Sequence, residues 1–174
     1  IRASKAGFLF RAPAKIKAEN PDVLSPSNVE AAKISAGKET LRRVDKLIKA
    51  NRSFAIESTL SGMAHVGMIE KAVSLGYRIN IIYTYVDSPD VCIARIAGRV
   101  QKGGHNVPSK DVRRRYSRSL TNFLEIYAPM SDYWLLVYNG DRGVRFVADF
   151  EKRSSLNVFD EEEYRRFVEV LCLK

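Results

Sequence analysis

Arg78-Ile79-Asn80-Ile81-Ile82-Tyr83-Thr84-Tyr85-Val86 runs directly into Asp87-Ser88-Pro89. The first segment is the longest β-type run of the chain, rich in Ile and Tyr, whose bulky side chains suit a pleated, buried surface. The second opens a helix, because proline at the first turn lacks only an N–H that the helix would leave unpaired. A strand feeding a helix is the unit from which α/β folds are built. Towards the amino end the order recurs: Phe54–Ile56 reads as a buried strand, Glu57–Gly62 (ESTLSG) as a polar crossover, and Met63–Leu75 as an amphipathic helix stopped by Gly76. Further out, Ser27–Ala50 has helical spacing with Ser27 and Glu30 as a capping box, and Phe8–Phe10 fits a short buried strand. Towards the carboxyl end, Pro89–Val100 and Lys110–Tyr127 read as helices, the second turning Val112, Tyr116, Leu120, Phe123 and Leu124 inward. Trp134–Tyr138 and Val144–Ala148 read as strands about the turn-rich Asn139–Gly143, and Asp160–Leu171 as a closing helix. Strands alternating with helices predict a three-layer α/β/α fold with a mostly parallel sheet covered on both faces.

With 174 residues, 45% of them hydrophobic, the chain is sized for one substantial core, and a single domain over 1–174 is expected. No run approaches the roughly 20 apolar residues that span a bilayer, and no charged-then-apolar leader opens the sequence, which predicts a cytoplasmic protein without a membrane partner. Cys92 and Cys172 lie far apart within apolar helical patterns and are expected to be buried thiols. The balance of 29 Lys+Arg against 20 Asp+Glu gives a formal charge of +9 and favours anionic partners: nucleotides, sugar nucleotides or nucleic acid. The acidic run Asp160–Glu163 stands where a helix starts, and carboxylates there suit the dipole.

The positive charge concentrates in Arg95–Phe123 (ARIAGRVQKGGHNVPSKDVRRRYSRSLTNF from Ala94), which has the makings of a phosphate-handling lid. Guanidinium forks match phosphate oxygens bidentately, and Gly103-Gly104 between two helices would let a cationic flap swing. A solvated basic hairpin accounts for the same residues. Glu57-Ser58-Thr59 leaves a core strand where α/β sheets collect ligands, and a carboxylate with two hydroxyls can bond a sugar or nucleoside. Ser58 and Thr59 as simple helix caps are the alternative. His105 lies in the lid turn, where loop bonding is as natural a role as chemistry. His65 is the other histidine, and neither has acidic neighbours at ligand spacing, so no metal site is expected. No nucleophile elbow occurs, which argues against a serine hydrolase. A nucleic-acid module on Arg95–Arg118 is disfavoured, since Tyr116 is the stretch's one aromatic.

Lys33–Leu41 (KISAGKETL), Ser53–Gly62 (SFAIESTLSG), Gly76–Val86, Arg95–Pro108 (RIAGRVQKGGHNVP) and Arg113–Leu120 together resemble the zeta toxin family of P-loop kinases, in the branch of predicted ABC-type ATPases. The patterns that carry the resemblance are F-x-I-E-T-T-L-S-G and R-V-x-x-G-G-H-x-V-P followed by R-R-Y-x-x-S-L, over roughly Phe8–Val147. The resemblance implies a nucleotide-kinase-like fold, ATP and Mg2+ as cofactors, transfer of the γ-phosphate to the sugar 3′-hydroxyl of UDP-N-acetylglucosamine, and an antitoxin partner. By position it implies that Glu57 holds the sugar nucleotide, that Ser58 and Thr59 line the same pocket, and that Arg99, His105, Arg114 and Arg115 close on the triphosphate. The chain departs from the family pattern twice. Its residues contain no G-x-x-G-x-G-K-[ST] loop, although Ile1-Arg2 resembles the positions directly behind that loop in the family, and Pro13 stands where the family's aspartate base belongs. Poor kinase activity is therefore expected of this chain. A non-catalytic member of the fold that binds a nucleotide or an antitoxin is the alternative.

Overall fold

The computed structural model describes residues 6–8 and 39–172. Contacts divide the chain into two compact units, Phe10–Ile56 and Ile1–Leu9 with Glu57–Lys174. The expected base position at Pro13 and the helix start at Ser27 lie outside the described residues.

In the smaller unit, helix α1 spans 39–49 and buries Val44 and Ile48 one turn apart. Glu39 accepts from Arg42 Nε and Arg43 Nε at 2.7 and 2.8 Å in its first turn. Those two arginines hold its carboxyl down at about 2. Asn51 ends the helix at φ +50, with Asn51 N–H donating to Ile48 O and Arg52 N–H to Leu47 O, both at 3.0 Å. That pairing is a Schellman cap, and asparagine is the side chain that best tolerates the left-handed position after glycine.

The larger unit is mixed α/β. Its elements are β1 Ala6–Phe8, β2 Ile56–Ser58 at the boundary, α2 Val66–Ser74, β3 Asn80–Tyr85, α3 Pro89–Gln101, α4 Ser109–Asn122, a π turn Phe123–Tyr127, α5 Ala128–Met130, β4 Tyr133–Gly140, β5 Gly143–Glu151, β6 Asn157–Val158 and α6 Glu161–Cys172. The sheet order is β2-β1-β3-β4-β5-β6. β3 and β4 are parallel, as a strand-helix-strand unit requires, while β1–β3, β4–β5 and β5–β6 are antiparallel. The mostly parallel sheet expected from the alternation is therefore not what these ladders form. The physical reason is clearest at β4–β5, where Gly140 pairs with Gly143 across Asp141-Arg142, a two-residue link that permits only antiparallel pairing. Gly143 takes φ +88 there, a conformation open to glycine. β2 also lies two residues later than the predicted Phe54–Ile56. As the end strand it tolerates an exposed Glu57 between half-buried Ile56 and Ser58, while Phe54, 1% exposed, is buried outside the ladder.

β3 buries Ile81, Tyr83 and Tyr85 on one face. Phe123 stacks on Tyr83 at 4.1 Å, and Phe167 lies 4.7 Å from Tyr85, so the end of α4 and α6 share that face. Trp134 meets Phe123 edge-on at 5.8 Å. The helix predicted over Lys110–Tyr127 is continuous in space but widens into the π turn before Pro129, whose ring nitrogen has no hydrogen to return to the carbonyl of Glu125.

Candidate functional site

The site is built around the loop that leaves β2. Ser58 Oγ accepts the Leu60 N–H at 3.2 Å and lies 2.9 Å from His65 Nε2, and Thr59 Oγ1 lies 2.8 Å from Ser61 Oγ. Leu60 adopts φ +52 while only 1% exposed. A left-handed conformation costs a non-glycine residue roughly 1–2 kcal/mol, and such positions persist where surrounding bonds over-determine them. Two bonds from the helical layer do so here: Asn122 Nδ2 donates to Leu60 O at 2.7 Å, and Tyr127 O–H donates to Gly62 O at 2.6 Å. Burial pushes the His65 imidazole below its ordinary 6.5, so that it is neutral near pH 7.

Helix α4 carries the cations towards this loop. At 100° per residue, Arg115, Arg118 and Asn122 fall within about 60° of one another, and Arg118 is one turn, about 6 Å, from Asn122. The flank that reaches Leu60 is thus the flank that bears Arg115 and Arg118. Both arginines are exposed, and neither has an ion-pair or hydrogen-bond partner among the described residues. Arg113 occupies the opposite flank, where it pairs with Asp90 of α3. Arg114 folds back on Asp111 at 2.7 Å.

The predicted lid residues therefore separate. Arg115 lies on the loop's side of α4, Arg114 is held by its own helix, and Arg99 Nη2 donates to the carbonyl of exposed His105 at 2.7 Å on the α3 side. The glycine pair also has a structural task. Gly103 sits at φ +79 and donates to Val100 O at 2.9 Å, while Gly104 N–H donates to Arg99 O at 2.9 Å, which is a Schellman stop for α3. A Cβ on Gly104 would come within 2.5 Å of Arg99 Cγ. Tyr116 O–H bonds Val86 O at 2.7 Å, and Val112 packs with Val86, Cys92 and Ile96, which fastens the start of α4 to the end of β3. Glu57 and Thr59 are exposed beside half-buried Ser58; Glu57 and Ser58 lie within β2 rather than in the crossover that the sequence reading placed after it, and Thr59 opens the loop.

Sequence reasoning missed His65, Ser61, Arg118, Asn122 and Tyr127. Two of these, Asn122 and Tyr127, bond the loop across the fold, and no local pattern announces such bonds; the heptad-like spacing Arg115–Arg118–Asn122 was the one legible signal.

A second polar cluster stands at the carboxyl ends of β3 and β4. Tyr138 O–H donates to Asp87 Oδ2 at 2.7 Å, Arg142 Nη2 donates to Asp87 Oδ1 at 2.6 Å, and Arg142 Nε donates to Glu163 Oε1 at 2.6 Å. The guanidinium also lies 4.5 Å over the Tyr138 ring. Every charge here is answered within the chain, so the cluster reads as a clamp joining the β4–β5 hairpin to α6. A shallow cleft lined by Arg78, Asp132, Glu151, Lys152 and Arg153 lies at the other end of these strands, and its Arg78 and Glu151 pair with each other.

The resemblance to P-loop kinases calls for a glycine-lined phosphate cradle with lysine and hydroxyl. The crowded glycines of the described residues do not supply it: a Cβ on Gly104 meets Arg99, and one on Gly140 meets Tyr138 and Asp87. Neither of these two glycines therefore leaves room for the phosphate of an ATP–Mg2+ pair.

An uncharacterized protein of Haemophilus influenzae is similar to this chain, 31% identical over 93 residues, a match covering 53% of this chain and 66% of that protein. No protein-family model and no solved structure matches the chain. Among the described residues, no helix is long and apolar enough to cross a membrane.

Proposed function

We propose that the chain is a zeta-toxin-like phosphotransferase that, as it stands, takes a sugar nucleotide of the UDP-N-acetylglucosamine kind between the end of β2 with the Thr59–Ser61 loop and the open cations of α4. One observation carries this reading: Arg115 and Arg118, without partners among the described residues, share a helix flank with the Asn122 that holds the hydroxyl-bearing loop. Guanidinium forks without an internal carboxylate suit a diphosphate, and hydroxyls with the exposed Glu57 suit a sugar. In the reaction that the resemblance implies, the sugar 3′-hydroxyl oxygen bonds the γ-phosphorus of ATP, ADP leaves, and the hydroxyl proton passes to a base. These residues contain neither the phosphate loop nor, with Pro13 at its place, that base. Binding without turnover is therefore expected of this chain by itself, whether or not an antitoxin-like partner covers the same face.

Titration calorimetry with UDP-N-acetylglucosamine tests the reading. Binding that weakens in Glu57→Ala and is lost in the Arg115→Ala/Arg118→Ala pair supports it; no binding by the wild type overturns it. Tight binding to random-sequence RNA that collapses with added salt would favour a nucleic-acid module instead.

A further inference from the structure

Ser58 has one hydrogen to donate and two acceptor positions, and the fold has already spent two of these three. Leu60 N–H fills one acceptor position at 3.2 Å, and His65 Nε2, at 2.9 Å, fills a second position. One remains. If the imidazole accepts the Ser58 hydrogen, the hydroxyl is left able to receive a bond from a ligand O–H or N–H. If the other tautomer donates, Ser58 keeps its own hydrogen for a ligand oxygen. A neutral imidazole offers both arrangements at the same geometry, which a lysine or a carboxylate does not.

The surroundings make this pair a built feature rather than a chance contact. His65 stands at the start of α2 but makes no side-chain cap bond to the helix, so its ring is turned to Ser58 instead of to the backbone beside it. Leu60, between the two, is held left-handed and buried, with its carbonyl bonded by Asn122. Thr59 and Ser61 bond each other, so the loop hydroxyls are arranged in pairs.

We propose that His65 is a positioning residue: it fixes the Ser58 hydroxyl so that a single hydrogen-bonding position, donor or acceptor by choice of imidazole tautomer, faces the sugar of a ligand whose phosphates are held by Arg115 and Arg118. The inference rests on the sugar-nucleotide reading above.

The test uses UDP-N-acetylglucosamine as probe on the full chain, with thermal melting alongside. Ser58→Ala should weaken binding about fivefold, the worth of one hydrogen bond. His65→Leu should match it, and His65→Gln, whose amide offers donor and acceptor near the place of Nε2, should stay within about twofold of wild type. In a Ser58→Ala background His65→Leu should add nothing, because its effect passes through Ser58. Equal binding by wild type and His65→Leu, or full additivity in the double variant, overturns the positioning role while leaving the ligand reading standing. No binding by wild type overturns both. Should His65→Leu fail to fold, His65→Gln decides: binding like wild type while Ser58→Ala is weak supports the role, and binding as weak as Ser58→Ala overturns it.

Discussion

Replacing Arg142 with leucine removes the cation from the clamp at the end of β4. Glu163 is the residue that suffers, because its side chain is 2% exposed and its closest ionic partner is Arg142 Nε at 2.6 Å. Arg166 Nη1, at 3.3 Å, would remain. Stripping one partner from a fully buried pair costs about 3–5 kcal/mol, since the other charge is left dehydrated. Arg142 is itself 35% exposed and Arg166 stays behind, so the expected loss is about 2–3 kcal/mol, including the stacking of the guanidinium on Tyr138. For a chain of this length that is a fall of roughly 4–10 °C in melting temperature. Urea unfolding followed by circular dichroism measures it. Arg142→Leu/Glu163→Leu should recover most of the loss, because no buried charge is then left unanswered. An Arg142→Leu protein within about 0.5 kcal/mol of wild type, or a double variant no better than the single, would refute the clamp.

The same cluster sets an acid limit. Burial alone would raise Asp87, but bonds from Tyr138 and Arg142 outweigh it and hold the carboxyl below its ordinary 3.8; its stabilisation is complete above 3.8 and lost as pH falls through the folded value, a loss that stability-against-pH curves should show reduced in Arg142→Leu. His65 lies below its ordinary 6.5, so the unfolded chain takes up a proton first and stability falls as pH drops from 6.5 towards the folded value; His65→Gln should flatten that region of the curve. Gly140→Ala should destabilise by about 1–3 kcal/mol, as its Cβ would come within 2.5 Å of Asp87 Oδ2 and also meet the Tyr138 hydroxyl. Gly103→Ala should cost about 1 kcal/mol through its φ of +79 with open space around it, whereas Gly104→Ala should also displace Arg99 from the His105 carbonyl, which chemical shifts of the loop would register.

Local chemistry made some elements legible without any structure. Pro89 and Asp90 start α3, Gly76 and Asn51 stop their helices, and the alternation of Ile81, Tyr83 and Tyr85 gives β3 one buried face, because caps and periodicity act within a few residues. The polar stretch after Ile56 was legible for the same local reason, although Glu57 and Ser58 complete β2 and the loop begins at Thr59. The direction of strand pairing was not local: alternating strands and helices predicted a mostly parallel sheet even though Asn139–Gly143 read as a turn-rich link, and β1–β3, β4–β5 and β5–β6 pair antiparallel. Nor was the fate of the arginines. Arg99, Arg113, Arg114 and Arg115 look alike in sequence, but a guanidinium is available to a ligand only if no carboxylate or carbonyl of the fold has claimed it. His105 O takes Arg99, Asp90 takes Arg113 and Asp111 takes Arg114. Sequence alone determined that this stretch would be cationic and helical. Only the tertiary structure decided which cations stay open and turned Asn122 and Tyr127 onto a loop some sixty residues from them in the chain, since bonds across such separations depend on how helices settle on the sheet.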